Sequence, residues 1–232
     1  MKKVLLVMMA LCTLTWCKAA DIDSGDKEKA EQTRQLTGFE RIELRGSLDV
    51  KYHQATSFSV VVRAPKKVLK EVETRVEGGK LIVNMRGHGK LFNMGVASGD
   101  DVTVYVSSPD LIGVELNGSG DFDGKGHIDT DNLNVTLSGS GDIEFDDIIC
   151  DRINVSVKGS GDVEVKNVKT LKADIELVGS GDVKMTFTDS GTVNTQLIGS
   201  GDIKLRGKVK EHKSQKRGSG TIETVGLIVK NR

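Results

Sequence analysis

The triad Gly-Ser-Gly occurs six times in this chain, beginning at Gly118, Gly139, Gly159, Gly179, Gly199 and Gly218. Five copies end in an acid, Asp121, Asp142, Asp162, Asp182 and Asp202, and the sixth ends in Thr221. The spacing is nearly even, and a period of about 20 residues is the mark of stacked coils, in which each repeat buries its apolar face only against its neighbours. The triads take 12 of the 27 glycines, since each also carries a second one at Gly120, Gly141, Gly161, Gly181, Gly201 and Gly220. Glycine is therefore placed, not diffuse.

Aligning the copies on their first glycine brings the apolar residues into register. The fourth residue on is Phe122, Ile143, Val163, Val183 or Ile203. The sixth is Phe145, Val165, Met185 or Leu205, with Gly124 as the exception. The end of each unit alternates again, as in Leu133/Val135/Leu137, Ile153/Val155/Val157, Ala173/Ile175/Leu177 and Val193/Thr195/Leu197, with polar residues between. A period of two argues for half-buried strands. The pattern predicts an all-β solenoid with coils of about 20 residues, each made of two short strands, a glycine corner and a variable corner. At a strand spacing of ~4.8 Å, six coils extend the body by roughly 29 Å.

The corner chemistry follows from the stacking. Glycine adopts positive φ without a Cβ clash and leaves room for the backbone above and below. Serine and aspartate can accept from nearby backbone N–H groups in local turns. The five acids form a column about one strand spacing apart, so their repulsion must be relieved by backbone N–H groups, by solvent or by cations between coils. That leaves Asp121, Asp142, Asp162, Asp182 and Asp202 as candidate metal ligands of a calcium-binding solenoid, although calcium β-rolls use a denser nine-residue repeat.

Before the repeats, alternation in Phe39/Ile42/Leu44, Leu48/Val50/Tyr52 and Phe58/Val60/Val62 predicts strands from about Leu36, with two more near residues 74–76 and 81–85. Ala64 to Glu71 suits one helical turn with Pro65 at its start. Arg86 to Asp100, punctuated by four glycines, is the only long loop expected. Residues 36–232 thus read as one domain, with less regular coils over 36–117 and repeat coils over 118–232. In the coil after Gly199, His212, Ser214 and Lys216 take positions filled by apolar residues elsewhere, which blunts that edge with charge.

Lys2 and Lys3, the apolar run Val4 to Trp16, and Cys17-Lys18-Ala19-Ala20 read as a secretory signal over residues 1–19. Cleavage after Ala19 is one processing route. Lipidation of Cys17, giving a membrane anchor, is the other. Residues 20–35 are almost wholly polar and read as a disordered tether. Cleavage removes three of the 33 basic residues and leaves all 33 acids, so the mildly acidic mature chain has no electrostatic reason to bind nucleic acid. Only Cys150 then remains, which excludes an intrachain disulfide and suits a small buried hydrophobe.

The repeated Gly-Ser-Gly-Asp-(Ile/Val) units, the Gly38-Phe39-Glu40-Arg41-Ile42 strand and the Tyr105-Val106-Ser107-Ser108-Pro109-Asp110-Leu111 segment resemble the head GIN domain family of autotransporter adhesins, typical of the Bacteroidetes. The resemblance spans about Leu36 to Val229. It implies a right-handed parallel β-helix exported across the inner membrane, with no catalytic residues to carry over and no cofactor.

Three functions compete on these grounds. The first is a non-enzymatic envelope or surface module, located in the periplasm, at the outer-membrane surface or outside the cell, that binds an unidentified protein or glycan. The second is a polysaccharide-acting β-helix enzyme. It is disfavoured by the lack of Trp after the signal, by the presence of only Tyr52 and Tyr105, and by the dispersal of His53, His88, His127 and His212. The third is the calcium-binding solenoid.

Overall fold

The computed structural model describes residues 29–86 and 102–230. The signal over 1–19 and nearly all of the Arg86 to Asp100 loop lie outside the described residues. Every regular element described is a strand. Eight short ones lead: β1 Lys29–Thr33, β2 Arg41–Gly46, β3 Asp49–Gln54, β4 Ser59–Pro65, β5 Val72–Glu77, β6 Lys80–Met85, β7 Thr103–Ser108 and β8 Gly113–Gly118. Five long ones follow, β9 Phe122–Gly139, β10 Ile143–Gly159, β11 Val163–Gly179, β12 Asp182–Gly199 and β13 Asp202–Arg217, and β14 Thr221–Val229 is last.

From β9 to β14 each strand pairs in parallel with the next, one coil on. The register keeps equivalent residues stacked, Ile143 on Phe122 and under Val163, Gly159 on Gly139 and under Gly179. The chain is therefore a β-solenoid with the coil length that the glycine phrase sets. Each coil is one continuous strand from corner to corner, where two short strands were expected, and the reason lies in how the alternation is reset. In β10 the buried residues are Ile143 and Phe145, then Ile148 and Cys150, then Ile153, Val155 and Val157. Two consecutive residues point outward at 146–147 and again at 151–152. The chain bends there, the pairing of β10 with β11 skips residues 146, 147 and 151, and the coil gains a middle run between the two anticipated ones. Ile128, Ile148, Val168 and Phe187 fill that run in successive coils.

Continuous burial supplies the stability. At ~25 cal/mol per Å² of apolar surface, each fully covered Val, Ile or Leu contributes about 1.5–3 kcal/mol before ordering entropy. Gly124 is the one gap in the column of sixth residues, and its neighbour fills it. A Cβ there would lie 2.8 Å from Phe145 Cε1, so the Phe145 ring occupies the missing side chain's volume. That ring tilts against Phe122 at 5.5 Å between centroids.

The two ends are closed differently. At the N-terminal end β3 and β7 stack beneath the first run of β9, and β8, β2 and β6 stack beneath its third. Antiparallel strands then cap both stacks: β4 on β7, β1 on β4, and β5 on β6. Strand β1 corrects the tether expected through residue 35, because Lys29–Thr33 pairs residue by residue with Pro65 to Val61. Its largely exposed side chains carry no hydrophobic signal, and backbone pairing at the edge holds it. The turn at Pro65 is a single one, with Val68 and Leu69 N–H donating to Pro65 O at 2.8 and 3.2 Å.

At the other end β14 covers β13 only from Asp202 to Val209. Beyond that, His212, Ser214 and Lys216 lie over Val193, Thr195 and Leu197. His212 Nε2 sits 3.0 Å from Thr195 Oγ1, and burial pushes the imidazole pKa down. Lys216 Nζ donates to Gly220 O at 3.0 Å. A polar lid thus closes the apolar interior without offering a sticky edge.

Candidate functional site

The Gly-Ser-Gly-Asp phrase forms one corner of every coil. At Gly159, φ is +131°, a region L side chains rarely enter, and a Cβ would also drive into Gly139 O. Gly161 has no unusual φ, yet its Cβ would run into Gly141 O and approach Leu137 Cδ2 to 2.9 Å. The other triads repeat the close approach of both glycines to the coil beneath. Between the glycines the backbone turns onto one acceptor, with Ser160 N and Gly161 N donating to Gly139 O at 2.9 and 3.1 Å. The serine side chains point into solvent.

The aspartates do something other than make local turns. Each carboxylate accepts from the backbone one coil further on. Asp142 N donates to Asp121 Oδ1 at 3.0 Å, Asp162 N to Asp142 Oδ1 at 3.1 Å, Asp182 N to Asp162 Oδ1 at 2.8 Å and Asp202 N to Asp182 Oδ1 at 3.1 Å. The ladder ends where Thr221 N donates to Asp202 Oδ1 at 3.0 Å. It begins one step earlier than the six copies indicate, because Asp121 N donates to Asp49 Oδ1 at 3.2 Å. The signal for that step was present in Gly46-Ser47-Leu48-Asp49, the same phrase with one glycine replaced. Gly118 and Gly120 pack directly on Gly46 and Leu48. One oxygen of each ladder carboxylate is therefore engaged by an N–H group, and among the described residues no three His, Cys, Asp or Glu side chains converge to hold a metal ion.

A shallow trough of about 410 Å³ runs across the coils on the outer side of the third run. Its floor is the strand backbone at Val155, Ile175 and Thr195. Outward residues stack into its two walls: Asn154, Asp174 and Asn194 on one side, Ser156, Glu176 and Gln196 on the other. The first wall is internally bonded, with Asn154 Nδ2 donating to Asn134 Oδ1 at 2.8 Å and Asn194 Nδ2 to Asp174 Oδ1 at 2.7 Å. Partial burial opposes ionisation of Asp174, but the Asn194 amide and Lys172, 2.9 Å away, more than offset it and hold its pKa below the usual carboxylate range. Such walls present amide and carboxylate donors and acceptors at every strand step, an array suited to an extended polar ligand.

Several other titratable groups are held in structural contacts. Lys80 Nζ bridges Glu43 at 3.2 Å and Glu115 at 2.7 Å on the continuation of the same face. Cys150 is buried, donates weakly to Thr170 Oγ1 at 3.5 Å, and has its pKa raised by burial, which is the opposite of an activated thiol. Tyr52, hydrogen-bonded to Ser108, is pushed up to about 12 by burial. His127 pairs with Asp147 at 2.6 Å on the exposed surface, far in sequence from His53 and His212, and His88 lies outside the described residues.

Comparison with known proteins bears on the fold. No curated protein matches the chain significantly. Several solved structures are similar to it. A "putative adhesin" from Bacteroides fragilis has a TM-score of 0.71 at 20% identity, covering 88% of this chain and 99% of its own. Another "putative adhesin", from Parabacteroides distasonis, has a TM-score of 0.59 at 18% identity, covering 88% and 98%. A "putative lipid binding protein" from the same species has a TM-score of 0.55 at 20% identity, covering 86% and 98%. At such identities the likeness concerns the fold. The family described as "Putative auto-transporter adhesin, head GIN domain" matches residues 38–167 and again 155–232, so the repeated corner, the stacked coils and the sequence agree, and the chain belongs to that family.

Proposed function

We propose that this protein is an exported, non-enzymatic module of the cell envelope or cell surface that binds a protein or glycan along its flank. The observation that carries this reading is the polar trough, whose ordered amide and carboxylate walls serve no core or corner. Membership in a family described as adhesins and the signal-like N-terminus support an envelope location. The non-enzymatic part rests on the chemistry of the titratable groups: the corner carboxylates accept backbone hydrogen bonds, and Cys150 is buried with a raised pKa.

The test is capture from envelope fractions of the native cells by the purified protein, followed by repetition with Asp174→Ala/Asn194→Ala. Binding that the wild type shows and the double variant loses supports the reading. Equal capture by both removes the trough, and turnover of any envelope polysaccharide removes the non-enzymatic assignment.

A further inference from the structure

Strand β13 carries seven Lys and Arg residues against two acids, Asp202 and Glu211, a balance that no other long strand approaches. Among the described residues its only ion pair within 4.0 Å is Lys213 with Glu211 at 3.0 Å. Arg206, Lys208 and Lys210 are exposed. Asp189 interacts electrostatically with Lys208 and Lys210, and it is already held by Lys230 at 3.0 Å.

Exposed large apolar side chains gather on the same part of the molecule. Of the six described, Tyr105 lies elsewhere and Val229 stacks on the inward-facing Val209 at the end of the coil. Ile149 and Leu171 stand on the outer side of the middle run, and Val225 and Ile228 on β14. Val225 is 93% exposed and Leu171 65%, values that core packing does not explain. The register interleaves the two kinds of residue. Ile149 stacks on Lys169, Lys208 on Ile228, and Arg206 on Gly226 beside Val225. Asp129 and Asp151 adjoin this face at its N-terminal side, so the basic and apolar character is concentrated toward the C-terminal end.

Cations and isolated aliphatic side chains mixed on one exposed face suit a particular surface, the interface of an anionic lipid bilayer. Lys and Arg gain from the negative surface potential, and short aliphatic groups enter the headgroup boundary. We propose that the middle face, from Leu171 to the β13–β14 end, is a peripheral docking surface for anionic membranes. A soluble polyanion would use the cations and leave Val225, Ile228 and Leu171 in water. A second copy of the chain would bring the cations of two β13 strands together. The face is separate from the polar trough, so a rod docked in this way keeps its third-run flank free.

The test is co-flotation of the full mature protein with vesicles of equimolar phosphatidylglycerol and phosphatidylcholine, against vesicles of phosphatidylcholine alone, at low and at physiological salt. Binding should require phosphatidylglycerol and weaken with salt. Lys208→Glu/Lys210→Glu should weaken it by more than about 25-fold, since each cation near such a surface is worth about fivefold. Ile228→Ser/Val225→Ser should weaken it with the charge of the face unchanged. Both variants alter exposed side chains, and melting curves identical to wild type would establish that they fold. Equal binding to both vesicle types, loss in the lysine variant without loss in the apolar one, or concentration-dependent dimerisation that masks Val225 would each overturn the proposal.

Discussion

Replacing Gly161 with alanine isolates the demand that stacking makes on the corner. The residue has no positive φ to strain, so the whole effect is steric. Its new Cβ would overlap Gly141 O and sit 2.9 Å from Leu137 Cδ2. Relief requires two coils to separate locally, which weakens Gly161 N to Gly139 O at 3.1 Å and Asp162 N to Asp142 Oδ1 at 3.1 Å. Overpacking costs about 1–3 kcal/mol. Two weakened hydrogen bonds add ~1 kcal/mol each. The sum, about 3–5 kcal/mol, corresponds to a fall in melting temperature of roughly 6–20 °C for a chain of this size. The control is Gly126→Ala, where φ is +76° but nothing lies within 4 Å of the added Cβ. There the cost is the backbone conformation alone, ~1–2 kcal/mol. Thermal and urea unfolding followed by circular dichroism compares the two, with linear extrapolation giving each ΔG. Equal destabilisation would refute the argument that the second glycine of the phrase is required by close approach.

The corner acids make a second case: Asp162→Ala leaves Asp182 N without its acceptor and should cost about 1–3 kcal/mol, whereas Asp162→Asn retains an oxygen and should cost much less. The same engaged oxygens lead us to expect no saturable heat in a calcium titration of the wild type and no change of melting temperature in chelator. Glu43 has its pKa lowered chiefly by the Arg45 hydrogen bond, against the opposing effect of burial, with Lys80 adding to the lowering. Its stabilisation is therefore complete above the ordinary carboxylate range and lost as pH falls below about 4.3; Glu43→Gln should flatten the decline of urea stability between pH 5 and 3. Cys150 has its pKa raised by burial, so its contribution is present below the unfolded thiol value of about 8.5 and lost as pH rises past it. Cys150→Ala should reduce the alkaline slope, and a thiol reagent should label the wild type only at the rate of unfolding.

The period, the glycine corners and the inward columns were all legible, because each rests on a side chain or a missing side chain that recurs once per coil. The middle run was not. Ile148 and Cys150 fall out of phase with Phe145 and Ile153, since paired outward residues intervene, and a search for strict alternation treats such pairs as breaks. Strand β1 was hidden because backbone pairing leaves no mark on Lys29–Thr33. The direction of the aspartate bonds was hidden as well, because a partner in the next coil looks the same in sequence as one in the same turn. The trough walls were recognisable as outward residues, Asn154, Asp174 and Asn194 among them. Only the register made them neighbours.

The stacked coils also set how the chain responds to force. The described chain enters the stack at the β1 end and leaves it at the β14 end, and successive coils are joined by backbone bonds that lie along the line between them. Tension applied through the two ends loads those bonds one row at a time, as in opening a zipper, and never shears a whole strand. Each coil of about 20 residues would release ~66–72 Å of extended chain as it peels. A single-molecule pulling trace should thus show low, evenly spaced steps, and a tethered protein of this kind would absorb load by yielding coil by coil.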